Sequence, residues 1–181
     1  MDASQVSETP LIDTTRFTLR KLVREDAVAL FPTFSNDEQC RYLSRPAFQT
    51  VEELADWLLD RSWPGRSWVA VDKSGGAIVG RYVAVPKTDR DVQEIGYTTV
   101  VGRQGQGVAL ECMTALVRHL FLNEGCRRLY AEIDAENVAS IALIERLGFT
   151  REGLLREHET THIGLCDMAL YGLLRREWRS A

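Results

Sequence analysis

"VVGRQGQGVALECM", residues 100–113, is the stretch on which the fold turns. Gly102, Gly105 and Gly107 follow a β-favouring run, "VQEIGYTTVV" (92–101), and lead straight into an apolar, helix-favouring segment. The first turn of an α-helix leaves backbone N–H groups without intrahelical partners, and the helix dipole makes that end partly positive. An anion can settle there if no side chain blocks it. Gly105 and Gly107 remove that block and tolerate positive φ, and Arg103 adds a cation at the rim. The same glycines also suit a tight strand-to-helix connection with no ligand, and a bare GxG does not separate the two readings. No Gly-Lys-Ser/Thr follows, so this is not the phosphate loop of NTPases. Leu110 stands where the dinucleotide fingerprint needs glycine or alanine.

On the C-terminal side, residues 108–124 read as a helix with Ala109, Cys112, Met113, Leu116, Val117 and Leu120 along its core stripe and Gly125 as its C-terminal cap. "RLYAEID" (128–134) is a strand, and "NVASIALIERLGF" (137–149) is a short helix and the turn after it. "EGLLREHETT" and "LCDMALYGLL" pair as a hairpin around His162, Ile163 and Gly164. On the N-terminal side, "RFTLRKL" (16–22) alternates as a half-buried strand does. "REDAVALF" and "NDEQCRYL" are short helices interrupted near Pro32, and "TVEELADWLLDRS" opens with Thr50 and Glu53 at capping-box spacing. "SWVAVDKSGGAIVGRYVAV" (67–85) is two β-rich runs around Ser74, Gly75 and Gly76, a hairpin signal. Strands first, then β–α–β–α–ββ, predict an α/β or α+β sheet with helices on its faces.

Composition narrows the class. A chain of 181 residues without internal repeats suits one domain, with 1–12 expected to be a flexible tail. Lys and Arg total 22 against 26 Asp and Glu, a net charge of −4 that argues against a nucleic-acid partner. Cys40, Cys112, Cys126 and Cys166 form no CxxC pair and no zinc-like spacing, so no metal is expected. The start carries no signal-peptide pattern and no run is long enough to span a bilayer, so a cytoplasmic protein without a membrane partner is expected.

The glycine turn "GQGVALE" and the later "ENVASIALIERLGFTREG" together resemble the GNAT acetyltransferases, and more narrowly the branch of the ribosomal-protein N-acetyltransferases RimJ and RimL. "TTRFTLRKLVREDA", "GAIVGRYV", "EIGYTTV" and "CDMALYGLLRREW" extend the likeness over most of the chain. The more specific motif is the Asn-x-x-Ser-x-x-Leu-x-Glu-x-Leu-Gly-Phe pattern at Asn137, Ser140, Leu143, Glu145, Leu147, Gly148 and Phe149. The resemblance implies a mixed, mostly antiparallel central sheet of about seven strands, splayed near its middle, with helices on both faces. It also implies acetyl-CoA as co-substrate. By that likeness, the backbone from Thr98 through Thr99 and Val100 to Val101 would pair with the pantetheine arm like an added strand. Gly105, Gln106, Gly107, Val108 and Ala109, with Arg103 at the rim, would hold the phosphates. Asn137 would bond the pantetheine or acetyl end, and Ser140 would lie near the sulfur. Helix N-capping is the alternative role for Asn137 and Ser140.

Acetyl transfer to an amine needs a neutral amine, a polarised thioester carbonyl and a proton for the departing thiolate. Glu94, on the strand before the turn and on one face with Gly96, Thr98 and Val100, is the candidate base; a solvated strand face is the alternative. A backbone N–H near Thr98 is the candidate oxyanion donor. Many relatives use a tyrosine as acid at the position that reads Ile144 here, which leaves Ser140, water or unassisted departure. Tyr171, His158, His162 and Asp167 are candidates for the acceptor end. Trp57, Trp63 and Trp68 are candidates for its aromatic lining. Asp37, Glu38, Glu52, Glu53 and Asp56 would suit a polyamine if they faced the cleft. The acceptor is expected to be a protein N-terminal amine or a small amine. A non-catalytic acyl-CoA sensor and a nucleotide-binding regulator are the competing readings, and a homodimer is compatible with all three.

Overall fold

The computed structural model describes residues 9–89 and 91–179. Its elements run β1 (Ile12–Asp13), β2 (Phe17–Lys21), α1 (Asp26–Phe34), α2 (Asp37–Cys40), α3 (Val51–Leu58), β3 (Arg66–Asp72), β4 (Ile78–Pro86) and β5 (Val92–Thr99). Then follow α4 (Val108–Leu122), β6 (Arg128–Asp134), α5 (Val138–Arg146), β7 (Thr150–Thr161) and β8 (Gly164–Leu174). The strands form one sheet in the order β1-β2-β3-β4-β5-β6-β8-β7. Every neighbouring pair is antiparallel except β5 and β6, which run parallel. A parallel pair needs a crossover, and α4 supplies it.

The sheet has eight strands where about seven were expected. The additional one, β1, comes from the stretch read as a flexible tail. Ile12 joins the core, and Pro10 accepts a 2.8 Å hydrogen bond from the buried Trp68 indole, which ties the entering chain down. Residues 1–8 of that expected tail lie outside the described residues. Helix α1 runs through Pro32 to Phe34 instead of stopping before it. Pro32 forfeits the bond to the Val28 carbonyl, and the helix runs only two residues beyond it. Half of the capping box at α3 forms: Thr50 Oγ1 accepts from the Glu53 N–H at 3.1 Å, while the Glu53 carboxylate accepts from the Gln49 N–H at 3.1 Å, one residue before the cap.

Alternation divides the core between two faces. Trp68, Ala70, Tyr82, Ala84, Ile95, Leu129 and Ala131 point to one, where Cys112, Met113, Leu116 and Leu120 of α4 and Ile144 of α5 cover them. Val69 points to the other, under Leu30 and Phe34 of α1 and Leu54 and Leu58 of α3. Each such fully buried aliphatic side chain contributes on the order of 2 kcal/mol relative to exposure. All four cysteines are buried free thiols, and burial pushes the Cys112 thiol up to about 12.

Candidate active site

The glycine turn joins the end of β5 to the start of α4. Gly102, Gly105 and Gly107 all hold left-handed backbones, at φ of 84°, 72° and 74°. Glycine is thus required by conformation, since L side chains resist that region. A Cβ at Gly105 would meet no atom of the protein within 4 Å, so the turn presents its open side outward. Gly107 is the N-terminal boundary of α4, and the first α4 bond is made by the Glu111 N–H to the Gly107 carbonyl. The N–H groups of Val108, Ala109 and Leu110 therefore have no helical partner. These groups and the exposed glycines fit a diphosphate, and the nearest side chain, the Arg16 guanidinium 3.5 Å from where a Gly107 Cβ would stand, is a cation.

Charged groups hold the turn in place. Arg16 donates to the Gln106 carbonyl at 3.1 Å and pairs with Glu111 at 2.6 Å. Arg103 is not a free cation at the rim: it pairs with Asp72 at 2.6 Å. Arg103 and the two bonds from Ser74 hold the Asp72 carboxyl well below the usual carboxylate range. Thr15, Arg16, Phe17, Asp72, Lys73, Ser74 and Arg103 line an open depression of about 460 Å³ beside the turn.

The parallel ladder between β5 and β6 ends at Glu94 opposite Tyr130. Beyond it the two strands part, and the opening faces the glycine turn. Which backbone groups line it follows from alternation. The Val100 N–H donates to the Val79 carbonyl at 3.0 Å, and the Lys87 N–H to the Val92 carbonyl at 3.1 Å. Both pairs fall in the β4–β5 register, so even-numbered residues of β5 turn their backbone groups toward β4. Ile95, Tyr97 and Thr99 turn theirs into the opening. Of the expected run from Thr98 to Val101, Thr99 thus faces the opening, whereas the amides of Thr98 and Val100 are committed to the β4 ladder. The Val101 N–H is also engaged, donating to Thr33 Oγ1 at 2.9 Å.

Glu94 stands at the apex of the opening, half-buried. Its Oε2 accepts from the Tyr130 hydroxyl at 3.2 Å and pairs with Lys87 Nζ at 2.9 Å. The Lys87 ammonium lies over the Tyr130 ring, 5.2 Å from its centre, and the Glu94 bond raises its pKa. Neither Lys87 nor Tyr130 stands out in the sequence, because both meet Glu94 only across strands.

Across the sheet, Asn137 caps α5, its Oδ1 accepting from the Ser140 N–H at 3.1 Å. That bond is the helix-capping role, and it leaves the side-chain NH2 of Asn137 as a donor. The Ser140 hydroxyl lies 2.6 Å from the Tyr97 hydroxyl, which also donates to the Ser140 carbonyl at 3.2 Å. Burial raises the Tyr97 phenol, and the Ser140 bond offsets part of that rise. Tyr97 was missed in the sequence because 43 residues separate it from Ser140.

The remaining candidates differ in exposure and partners. Ile144 is fully buried in the core. Tyr171 is also buried, donating to Glu145 at 3.0 Å. His158 and His162 are exposed, and Asp167 accepts from the Glu157 N–H at 2.7 Å. Trp68 lies in the core, whereas Trp57 and Trp63 flank Arg81. Asp37, Glu38, Glu52, Glu53 and Asp56 are all exposed, Glu53 paired with Arg45 and Asp56 with Arg24. Among the described residues, no group of three or more His, Cys, Asp or Glu is placed to hold a metal, and no helix is long and apolar enough to cross a membrane.

Residues 16–150 match the family model described as an acetyltransferase (GNAT) domain. The chain is 30% identical over 171 residues to an uncharacterized N-acetyltransferase, p20, of Bacillus licheniformis, covering 91% of this chain and 96% of that one. It is similar in structure to RimL, a ribosomal L7/L12 alpha-N-protein acetyltransferase solved with coenzyme A, at TM-score 0.79 and 22% identity, covering 91% and 98% of the two chains. It is also similar to spermidine N-acetyltransferase from Vibrio cholerae, solved with CoA and spermine, at TM-score 0.77 and 20% identity, covering 90% and 98%.

Proposed function

The chain belongs to the GNAT acetyltransferase family and is an N-acetyltransferase, and from that premise we propose that it moves an acetyl group from acetyl-CoA directly to a primary amine within a ternary complex. The acceptor is a protein N-terminal α-amine or a small amine. One observation carries the reading. The β5–β6 ladder stops at Glu94 and Tyr130, and the resulting opening leads to an exposed helix N-terminus behind left-handed glycines.

Gly105, Gln106, Gly107, Val108 and Ala109 hold the coenzyme diphosphate through backbone N–H groups. The neighbouring depression, with Arg16, Lys73 and Arg103 along it, receives the nucleotide end. The free edge of β5 at Ile95, Tyr97 and Thr99 binds the pantetheine amides, as an added strand would. When bound, the coenzyme supplies an activated acyl thioester.

Glu94 accepts the proton that the acceptor amine must lose, directly or through a water. Lys87 already rests its ammonium on that carboxylate, so the residue is arranged to receive a protonated nitrogen. A β5 N–H turned into the opening faces the thioester oxygen as charge develops there. The Ser140–Tyr97 hydroxyl pair supplies the proton that the departing thiolate takes up. Burial keeps the Tyr97 phenol protonated at working pH, which suits a donor. This pair takes the place of the tyrosine that Ile144 replaces.

The test is thiol release from acetyl-CoA over a panel of peptide N-termini, amino acids and polyamines, alongside calorimetric CoA binding. Turnover with at least one primary amine is expected. Tight CoA binding without any turnover would overturn the catalytic reading.

A further inference from the structure

We propose that the acceptor carries an anionic group, a carboxylate in the first instance, which Arg81 receives at the far end of the acceptor cleft. This inference rests on the acetyl-transfer reading and specifies its substrate.

Glu94, Gly96 and Thr98 share one face of β5, and Val85, Val83 and Arg81 stand opposite them on β4. The same face carries Ser67 of β3, opposite Val83. Here the N-terminal helices do not close over the sheet: Ser67, Val83, Gly96 and Thr98 are all half-buried. Gly96 has no side chain, and Val83 Cγ2 lies 3.0 Å from where its Cβ would stand, so the floor between the candidate base and Thr98 is low and apolar. A molecule whose amine meets Glu94 therefore extends along this floor toward Arg81.

Arg81 is the unusual group there. Its Nη2 donates to Ser67 Oγ at 3.0 Å, and its guanidinium lies between two indoles, 4.9 Å from the Trp57 ring centre and 5.5 Å from that of Trp63. Its Nε is buried with no hydrogen-bond partner, and among the described residues no carboxylate pairs with it. Burial alone pushes its pKa down to about 10, with no acidic neighbour to hold it up. A half-buried guanidinium without a counter-ion is costly, and indole faces compensate only in part. The planar fork of arginine matches a carboxylate, and two flanking indoles keep it from swinging into solvent.

The local chain is shaped for that clamp. A Cβ at Gly65 would come within 2.4 Å of the Trp63 ring, so only glycine lets the indole fold back over this site. Four residue steps along β5 separate the Glu94 and Thr98 rows, about 13 Å along the strand. Allowing for the reach of both side chains, the acceptor's anion lies a residue or so from its reacting amine. The side-chain or terminal carboxylate of a short peptide meets that spacing. A polyamine does not suit it, because a second ammonium would be brought to Arg81.

The test uses two matched peptides with free N-termini, Ser-Glu-amide and Ser-Gln-amide, and their N-acetylated products. Values of kcat/KM are measured for the wild type, Arg81→Met and Arg81→Lys. Binding of the acetylated forms to CoA-saturated protein is measured by calorimetry, and CoA affinity and Tm report folding. The wild type should prefer the Glu peptide roughly 10- to 100-fold, in rate and in binding. The preference should vanish in Arg81→Met and persist, reduced, in Arg81→Lys. If Arg81→Met fails to fold, Trp63→Leu should weaken the same preference. Turnover with no charge preference, or a preference that survives Arg81→Met, overturns this inference and leaves the transferase reading intact. No turnover, with Arg81-dependent binding of the Glu form, overturns the transferase reading and upholds the anion site.

Discussion

Gly105→Ala tests the phosphate cradle, and Gly76→Ala is its built-in control. Both glycines sit at φ 72°, and a Cβ at either would meet no protein atom within 4 Å. The strain of placing alanine in the left-handed region is thus the same at both, about 1 to 2 kcal/mol. For a chain of this size that lowers Tm by roughly 2 to 8 °C. Only the locations differ: Gly76 lies in the β3–β4 hairpin, Gly105 in the turn before α4. A methyl group at Gly105 stands on the open side of the turn, where the diphosphate would lie, and forces at least one N–H to phosphate bond to break. A charge-assisted bond of that kind contributes about 1.5 to 3 kcal/mol, so the Kd for acetyl-CoA should rise roughly 10- to 150-fold. Scanning fluorimetry reads the first effect and titration calorimetry the second. Equal Tm losses with a weakened Kd only at Gly105 are expected. If the two variants bind acetyl-CoA alike, the turn is a structural connection and the assigned coenzyme site is wrong.

Glu94→Gln should lower kcat on the order of 100-fold while CoA binding persists, with the largest loss at low pH, where most amine is protonated; an unchanged pH–rate profile removes Glu94 as the base. Tyr97→Phe and Ser140→Ala should each slow turnover, and the double variant should be no slower than the worse single one, because the two hydroxyls act as a unit; strictly additive losses would contradict a shared proton path. Asp72→Asn should lower stability at neutral pH. The folded Asp72 pKa lies below its ordinary 3.8, so the Arg103 pair contributes fully above that value and is lost as pH falls through the lower folded one. The Tm gap between wild type and Asp72→Asn should therefore hold from pH 7 down to about 4 and close only below it; a gap closing nearer pH 6 would point to another group.

What the sequence determined by itself was local. Glycines ahead of an apolar stripe announced the turn and α4, because positive φ and helical periodicity are properties of a few consecutive residues. Thr50 with Glu53, and Asn137 before α5, announced helix starts for the same reason, and "SGG" announced its hairpin. The short β1 escaped notice, since two residues carry no period and are held by Trp68, far along the chain. Only tertiary structure decided the site. The length of the β5–β6 ladder depends on how two strands joined through α4 diverge, and the direction of each β5 amide follows from the register with β4. Lys87 and Tyr130 reach Glu94, Tyr97 reaches Ser140, and two indoles enclose Arg81, all through contacts between residues distant in the chain. Such pairings leave no periodic trace, because each side chain satisfies its partner across the fold and not its neighbour along the backbone.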